Sequence, residues 1–141
     1  MKEYDVLINK RVHHYYWDDD INCAKATLKI LSEIFGVNLS SQVLDSAIGM
    51  HGAGRFGAQC GLLEGTIMFI GIIGRERGCE NGDIVNYCYN FSNEFQNTFG
   101  SLVCKELRPQ GFKPENPPHL CEELTKKAVG LSVNYISKII T

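Results

Sequence analysis

The stretch Cys60-Gly-Leu-Leu-Glu-Gly-Thr-Ile-Met-Phe-Ile-Gly-Ile-Ile-Gly-Arg75 decides what kind of chain this is. Its apolar residues do not alternate with polar ones, and Arg75 and Arg77 close it favourably against a helix dipole. The reading is a helix from about Cys60 to Arg75 or Arg77. Its most apolar part, Leu62 to Ile73, contains Glu64 and is too short to cross a bilayer, so it suits a buried core helix. Gly57, Gly61 and Gly65 recur every four residues and on a helix would form one bare stripe. Each interior glycine costs roughly 1 kcal/mol relative to alanine. That cost fits tight helix–helix packing, and it also leaves room beside Cys60 for something larger than a side chain.

Working outward, a glycine-rich loop, His51-Gly-Ala-Gly-Arg-Phe-Gly57, precedes this helix. Further upstream, a helix is expected from Asp19 or Asp20 to Phe35, with Gly36 as its stop and Ala24, Leu28, Leu31 and Phe35 on its apolar face. A shorter one should start at Ser40 or Ser41 and end near Met50. Downstream, helices are expected from about Asp83 to Phe99 and, after Gly100, from Ser101 to Leu107. A loop holding all four prolines, Pro109 to Pro118, leads to a last helix from about His119 to Ile139. No segment alternates convincingly enough to be a strand. The expectation is an all-α fold, a single compact domain of five or six helices over residues 1–141.

Four of the six cysteines fall where these helices should begin. Cys23 lies three residues after Asp20, Cys104 three after Ser101, and Cys121 just past Pro117-Pro118, while Cys60 closes the glycine loop. A thiol in a first helical turn meets unpaired N–H groups and the positive end of the macrodipole, which favours its thiolate. Thiolate is the form that attacks disulfides and binds metals.

Composition narrows the chemistry. At 141 residues, 44% apolar and 21% charged, the chain can bury an ordinary core. A net charge of -2 without a basic stripe argues against nucleic acid. The start, Met1-Lys-Glu-Tyr-Asp, lacks the apolar run of a secretion signal, so a cytoplasmic location without membrane insertion is expected. In a reducing compartment six cysteines point to metal binding or redox work. No Cys-x-x-Cys pair is present, which weakens both a thioredoxin-type motif and a zinc knuckle.

Asn22-Cys23-Ala24, the loop Gly52-Ala-Gly-Arg55 and Cys60-Gly-Leu-Leu-Glu-Gly65, followed by Phe99-Gly-Ser-Leu-Val-Cys-Lys-Glu-Leu107 and Cys121, resemble the C-GCAxxG-C-C family of small redox-active proteins. The resemblance runs from about Tyr16 to Tyr135. It implies a helical fold, a redox function and four family cysteines at Cys23, Cys60, Cys104 and Cys121. Through the family's likeness to the cluster-bearing part of split-Soret cytochromes it also implies an iron–sulfur site. The Cys-x-x-Cys-His sequence for covalent haem is absent, so cytochrome activity does not carry over. Two positions depart from the family pattern: the usual Cys-Gly-Ala is Cys60-Gly61-Leu62 here, and Glu64 stands where a small hydroxyl residue is common.

Three functions remain open on the sequence. In the first, the four cysteines hold an iron–sulfur cluster and the protein passes electrons to an unidentified redox partner. In the second, a cofactor-free dithiol–disulfide oxidoreductase cycles two of them, with Cys60 attacking and Cys23 as its partner, aided by the glycine-loop amides and Arg55. In the third, they form a structural zinc or interaction module. The four are 37, 44 and 17 positions apart, so any common site must be assembled by tertiary folding. Cys88 reads as a core residue near Ile84, Phe91 and Phe95, and Cys79 as an exposed turn residue. His13 and His14 read as polar surface on an N-terminal arm, and His51 as a candidate ligand or proton carrier. His119 is expected to flank the last helix. Glu64, four residues after Cys60, is a candidate proton acceptor, oxygen ligand or charge that raises the pKa of Cys60, or a carboxylate paired with Arg55 or turned to solvent. The glycine stripe leaves a homodimer open.

Overall fold

A computed structural model describes residues 2–140. After a 3₁₀ turn at Lys2–Tyr4 come α1 (Asp5–Trp17), α2 (Cys23–Phe35), α3 (Ser41–Ser46), α4 (Gly52–Arg55), α5 (Gly61–Glu76), α6 (Asn81–Phe99), α7 (Cys104–Leu107) and α8 (Glu122–Ile139). Among the described residues no strand forms, so the fold is all-α. Five of these helices, α1, α2, α5, α6 and α8, make the body.

The helix α5 is central and packs against α2, α6 and α8, with its most extensive contact on α2. Leu62, Leu63, Phe69, Ile70 and Ile73 of α5 are fully buried beside Leu28 and Leu31 of α2, Phe91 and Phe95 of α6, and Ile136 of α8. The few polar side chains in this core are paired. Thr66 and Ser132 lie 2.8 Å apart across α5 and α8, and Tyr16 and Thr125 lie 2.6 Å apart across α1 and α8. No buried side-chain polar atom among the described residues lacks a partner, as a low-dielectric interior requires.

Most helix boundaries fall within a few residues of the expected ones, and the differences have local causes. Asn22, not Asp19 or Asp20, starts α2, because its side chain accepts the Lys25 N–H at 2.8 Å while Asp20 sits at a φ of 52°. The helix α3 ends at Ser46 rather than near Met50 and gives way to turns. Residues 101–103 are not helical and Val103 is extended, so α7 begins at Cys104 and not at Ser101. The supposed N-terminal arm is the helix α1, whose Ile8, Val12 and Tyr16 are buried at four-residue spacing against α8 and α2.

The expected glycine stripe is shorter than three. Gly57 lies outside the helix at a φ of 97° and packs on Lys105, so only Gly61 and Gly65 belong to the crossing with α2. A Cβ on Gly65 would stand 2.8 Å from the Ala24 carbonyl oxygen, closer than real contacts allow. Gly71, on the same helix, has open space. Gly65→Ala is therefore expected to lower stability by about 1–3 kcal/mol. Gly71→Ala should raise it by about 1 kcal/mol, and denaturant unfolding of both variants beside the parent checks the contrast.

Candidate functional site

Each family cysteine is placed by a different local device. Cys23 is the first residue of α2, behind the Asn22 cap. It can stand over the start of α5 because Gly61 has no Cβ: one there would collide with the Cys23 sulfur and lie 2.6 Å from the Met50 carbonyl oxygen. Cys60 is the N-cap residue of α5. Its N–H donates to the Leu102 carbonyl at 2.8 Å, and the Cys104 N–H donates to the Ala58 carbonyl at 2.6 Å. Together with the antiparallel pairing of Gln59 and Val103, these bonds lay the Cys104 segment beside Cys60. Cys121 caps α8, which α1 ties down through Trp17 Nε1–H donating to Glu122 at 2.8 Å and His13 Nδ1 lying 2.9 Å from the same carboxylate. Burial pushes the Glu122 carboxyl upward, but the hydrogen bonds from Trp17, His13 and Lys126 outweigh it and hold the group at about 2.

The glycine loop is a left-handed turn. Gly52, Ala53, Gly54 and Arg55 all have positive φ, between 54° and 71°. L-residues resist this conformation by about 1–2 kcal/mol each. Gly52 is needed twice over, since a Cβ there would also stand 2.9 Å from the Cys104 sulfur. The turn leaves His51 beside α2, with Asn22 Nδ2 3.1 Å from its Nδ1 while that amide donates to the Ala47 and Ile48 carbonyls.

Cys23, Cys60, Cys104 and Cys121 line one cavity of about 760 Å³. That volume lies within the range of small-molecule and cofactor sites. Cys60 and Cys104 are buried, Cys121 is half-buried, and all six cysteines of the chain are free thiols. No group of three or more His, Cys, Asp or Glu side chains among the described residues is close enough to hold a single metal ion.

The electrostatics reverse the expected activation of the thiols. Helix N–H groups do reach the sulfurs, from Ala24 to Cys23 and from Leu62 and Leu63 to Cys60. Burial outweighs them. It pushes the Cys60 thiol up to about 11, and the neighbouring Cys104 and Cys121 sulfurs push the same way. Cys23 is raised further, first by burial and then by Cys60, Cys121 and Cys104, and Cys104 is raised by burial and by Cys121. Arg55 is exposed and acts on His51, whose pKa is lowered by burial and by that guanidinium.

Other candidates from the sequence fall elsewhere. Cys88 packs at the core edge with its sulfur 3.8 Å from the Ile67 carbonyl oxygen, and Cys79 is half-buried rather than exposed. Glu64 accepts from the Gln59 amide instead of pairing with Arg55 or facing the cavity. His13 and His14 engage Glu122 and Asp18 and do not line the cavity. His51 and His119 do line the cavity. Sequence reasoning passed over Arg108, whose Nη1–H donates to the Cys121 sulfur at 3.7 Å. The available signal was a cation four residues after Cys104, yet its partner is the cysteine thirteen positions further on.

An all-α chain with four cysteines from four helix starts on one cavity defines a cysteine-site protein of small size. The family model described as "Putative redox-active protein (C_GCAxxG_C_C)" matches residues 21–135, well over half of the chain, and the protein belongs to that family. No curated protein and no solved structure matches the chain significantly. No described helix is long and apolar enough to cross a membrane.

A buried neutral thiol reacts slowly. In reduced, metal-free protein Cys60 is expected to alkylate with iodoacetamide much more slowly at pH 7 than in the unfolded chain, with the rate climbing toward pH 11. Peptide mass spectrometry across a pH series checks this, and rapid labelling of folded Cys60 at pH 7 contradicts it.

Proposed function

We propose that Cys23, Cys60, Cys104 and Cys121 hold an iron–sulfur cluster and that the protein carries electrons. The observation that supports this reading is the convergence of four sulfurs, from widely spaced positions, on one cavity. Two sulfurs on one tetrahedral zinc lie roughly 4 Å apart. Four cysteines lining a cavity of about 760 Å³ leave room for a group larger than a single ion. The dithiol–disulfide reading is disfavoured by the same burial that keeps the thiols protonated, because exchange needs a ready thiolate.

Bound by four thiolates, such a cluster takes up and releases single electrons. The chain's own residues supply the setting. The N-termini of α2, α5 and α8 begin at or beside three of the cysteines and favour negative charge there. Arg108 donates to the Cys121 sulfur, and its own position is fixed by a bond from Nε–H to the Gly111 carbonyl at 2.7 Å and by stacking 4.1 Å over Phe112. Hydrogen bonds and positive charge at a ligand sulfur favour the more negative, reduced form.

Protein purified without oxygen is expected to contain iron and sulfide in matched amounts and visible absorption that bleaches on reduction. Cys23→Ser and Cys104→Ser should each lose most of the iron and colour. Cys88→Ser should keep both, since Cys88 lies outside the cavity. Stoichiometric zinc without sulfide, or colourless metal-free protein with fast thiols, would overturn the assignment.

A further inference from the structure

The cavity carries more than cysteines. Lys25, Arg55, Arg108 and Lys113 line it, with Asp20 as the one carboxylate. That imbalance is not the chain's own, since Lys and Arg number 14 against 16 Asp and Glu. Asp20 lies beside His119, whose Nε2 is 3.8 Å from its Oδ1, so the lining sets one carboxylate against four cations. Arg108 is held rigid by Gly111 and Phe112, as described. Ile48, Leu107, Phe112 and Pro114 give the same lining an apolar part.

Backbone strain gathers at the same place. Among the described residues four non-glycines have positive φ, and three of them, Asp20, Arg55 and His119, line this cavity. Each such residue costs on the order of 1–3 kcal/mol and persists only where its surroundings fix it. Here the outcome is that a cationic and an imidazole side chain are presented to one space. His119 is further fixed by stacking on Tyr16 at 5.3 Å and edge-on packing against Trp17 at 4.8 Å.

We infer that the cavity binds a small organic anion, an apolar body bearing a carboxylate or phosphate group, in front of the cysteine wall. Arg55 and Lys113, both exposed, receive the acid group at the mouth, and Phe112 and Leu107 cover the apolar body. Binding of this kind stands apart from the iron–sulfur reading, because none of these four residues is a cysteine and the anion needs no metal to be held.

The chain has one tryptophan, Trp17, and it touches a cavity residue, so its fluorescence reports occupancy. Protein purified without oxygen, with iron, sulfide and zinc already measured, is titrated with phenyl phosphate, benzoate, inorganic phosphate and benzyl alcohol. Saturable binding of phenyl phosphate or benzoate, tighter than inorganic phosphate and absent for the neutral alcohol, is expected whatever the metal content proves to be. The two acids compared show which acid group is preferred. Arg55→Gln with Lys113→Gln should weaken binding at least about tenfold, the equivalent of about 1.4 kcal/mol, without a change in melting temperature. Lys113→Gln alone, on a loop, keeps the test in hand if the double variant folds poorly. No saturation by either acid, equal binding of the alcohol or of inorganic phosphate, or unchanged affinity in both variants would overturn the inference.

Discussion

Two missing Cβ atoms govern this molecule. At Gly61 and Gly65 the helix α5 lets the first turn of α2 come within backbone contact, and an alanine at either place would drive into a carbonyl oxygen. Helical glycine costs roughly 1 kcal/mol per residue. The close crossing offsets that cost by burying Leu28, Leu31, Phe69 and Ile70 completely. It also fixes where Cys23 stands relative to Cys60. Because α5 is also the helix on which α6 and α8 pack, the same crossing sets the frame in which Cys104 and Cys121 arrive.

Within that frame two electrostatic effects oppose each other. A helix N-terminus is worth about 0.3–1 kcal/mol to an exposed anion and about 2 kcal/mol when partly buried. Moving the Cys60 thiol from 9.0 to about 11 corresponds to about 3 kcal/mol against its thiolate. Burial therefore wins while the sulfurs are protonated. A bound metal would invert this order, since a coordinated thiol is deprotonated outright and the N–H groups and Arg108 would then face negative sulfur. As protonated thiols the wall is slow to react, and under the proposed cluster the same wall would hold thiolates.

What could be read from the sequence was local. The starts of α2, α5, α7 and α8 fall at or next to Cys23, Cys60, Cys104 and Cys121, because caps, prolines and glycine stops act over three or four residues. The helix α1 escaped notice because its apolar stripe is only Ile8, Val12 and Tyr16, and docking on α8 and α2 completes its burial. The activated thiol failed for the opposite reason: its helix-start argument was sound locally, and burial, a tertiary quantity, overrode it. The cationic side of the cavity was invisible for a third reason. Lys25, Arg55, Arg108 and Lys113 come from α2, α4 and the segment after α7, and nothing in their spacing brings them together.

The walls of the cavity differ in how they are held, and this bears on what it can accommodate. The starts of α2, α5 and α8 are anchored by helices of 13, 16 and 18 residues whose apolar faces are buried in the core. Another wall is the segment between α7 and α8, which supplies Arg108, Phe112, Lys113, Pro114 and His119. Its internal bonds are short-range, such as Arg108 to Gly111 and Asn116 to the Gln110 and Gly111 carbonyls, and His119 stacks it on Tyr16. Displacing that wall exposes little core, whereas displacing α2, α5 or α8 breaks the packing around Phe69. The spacing of Cys23, Cys60 and Cys121 is thus set by rigid elements, and tolerance for the size of what lies before them resides in the proline-rich segment.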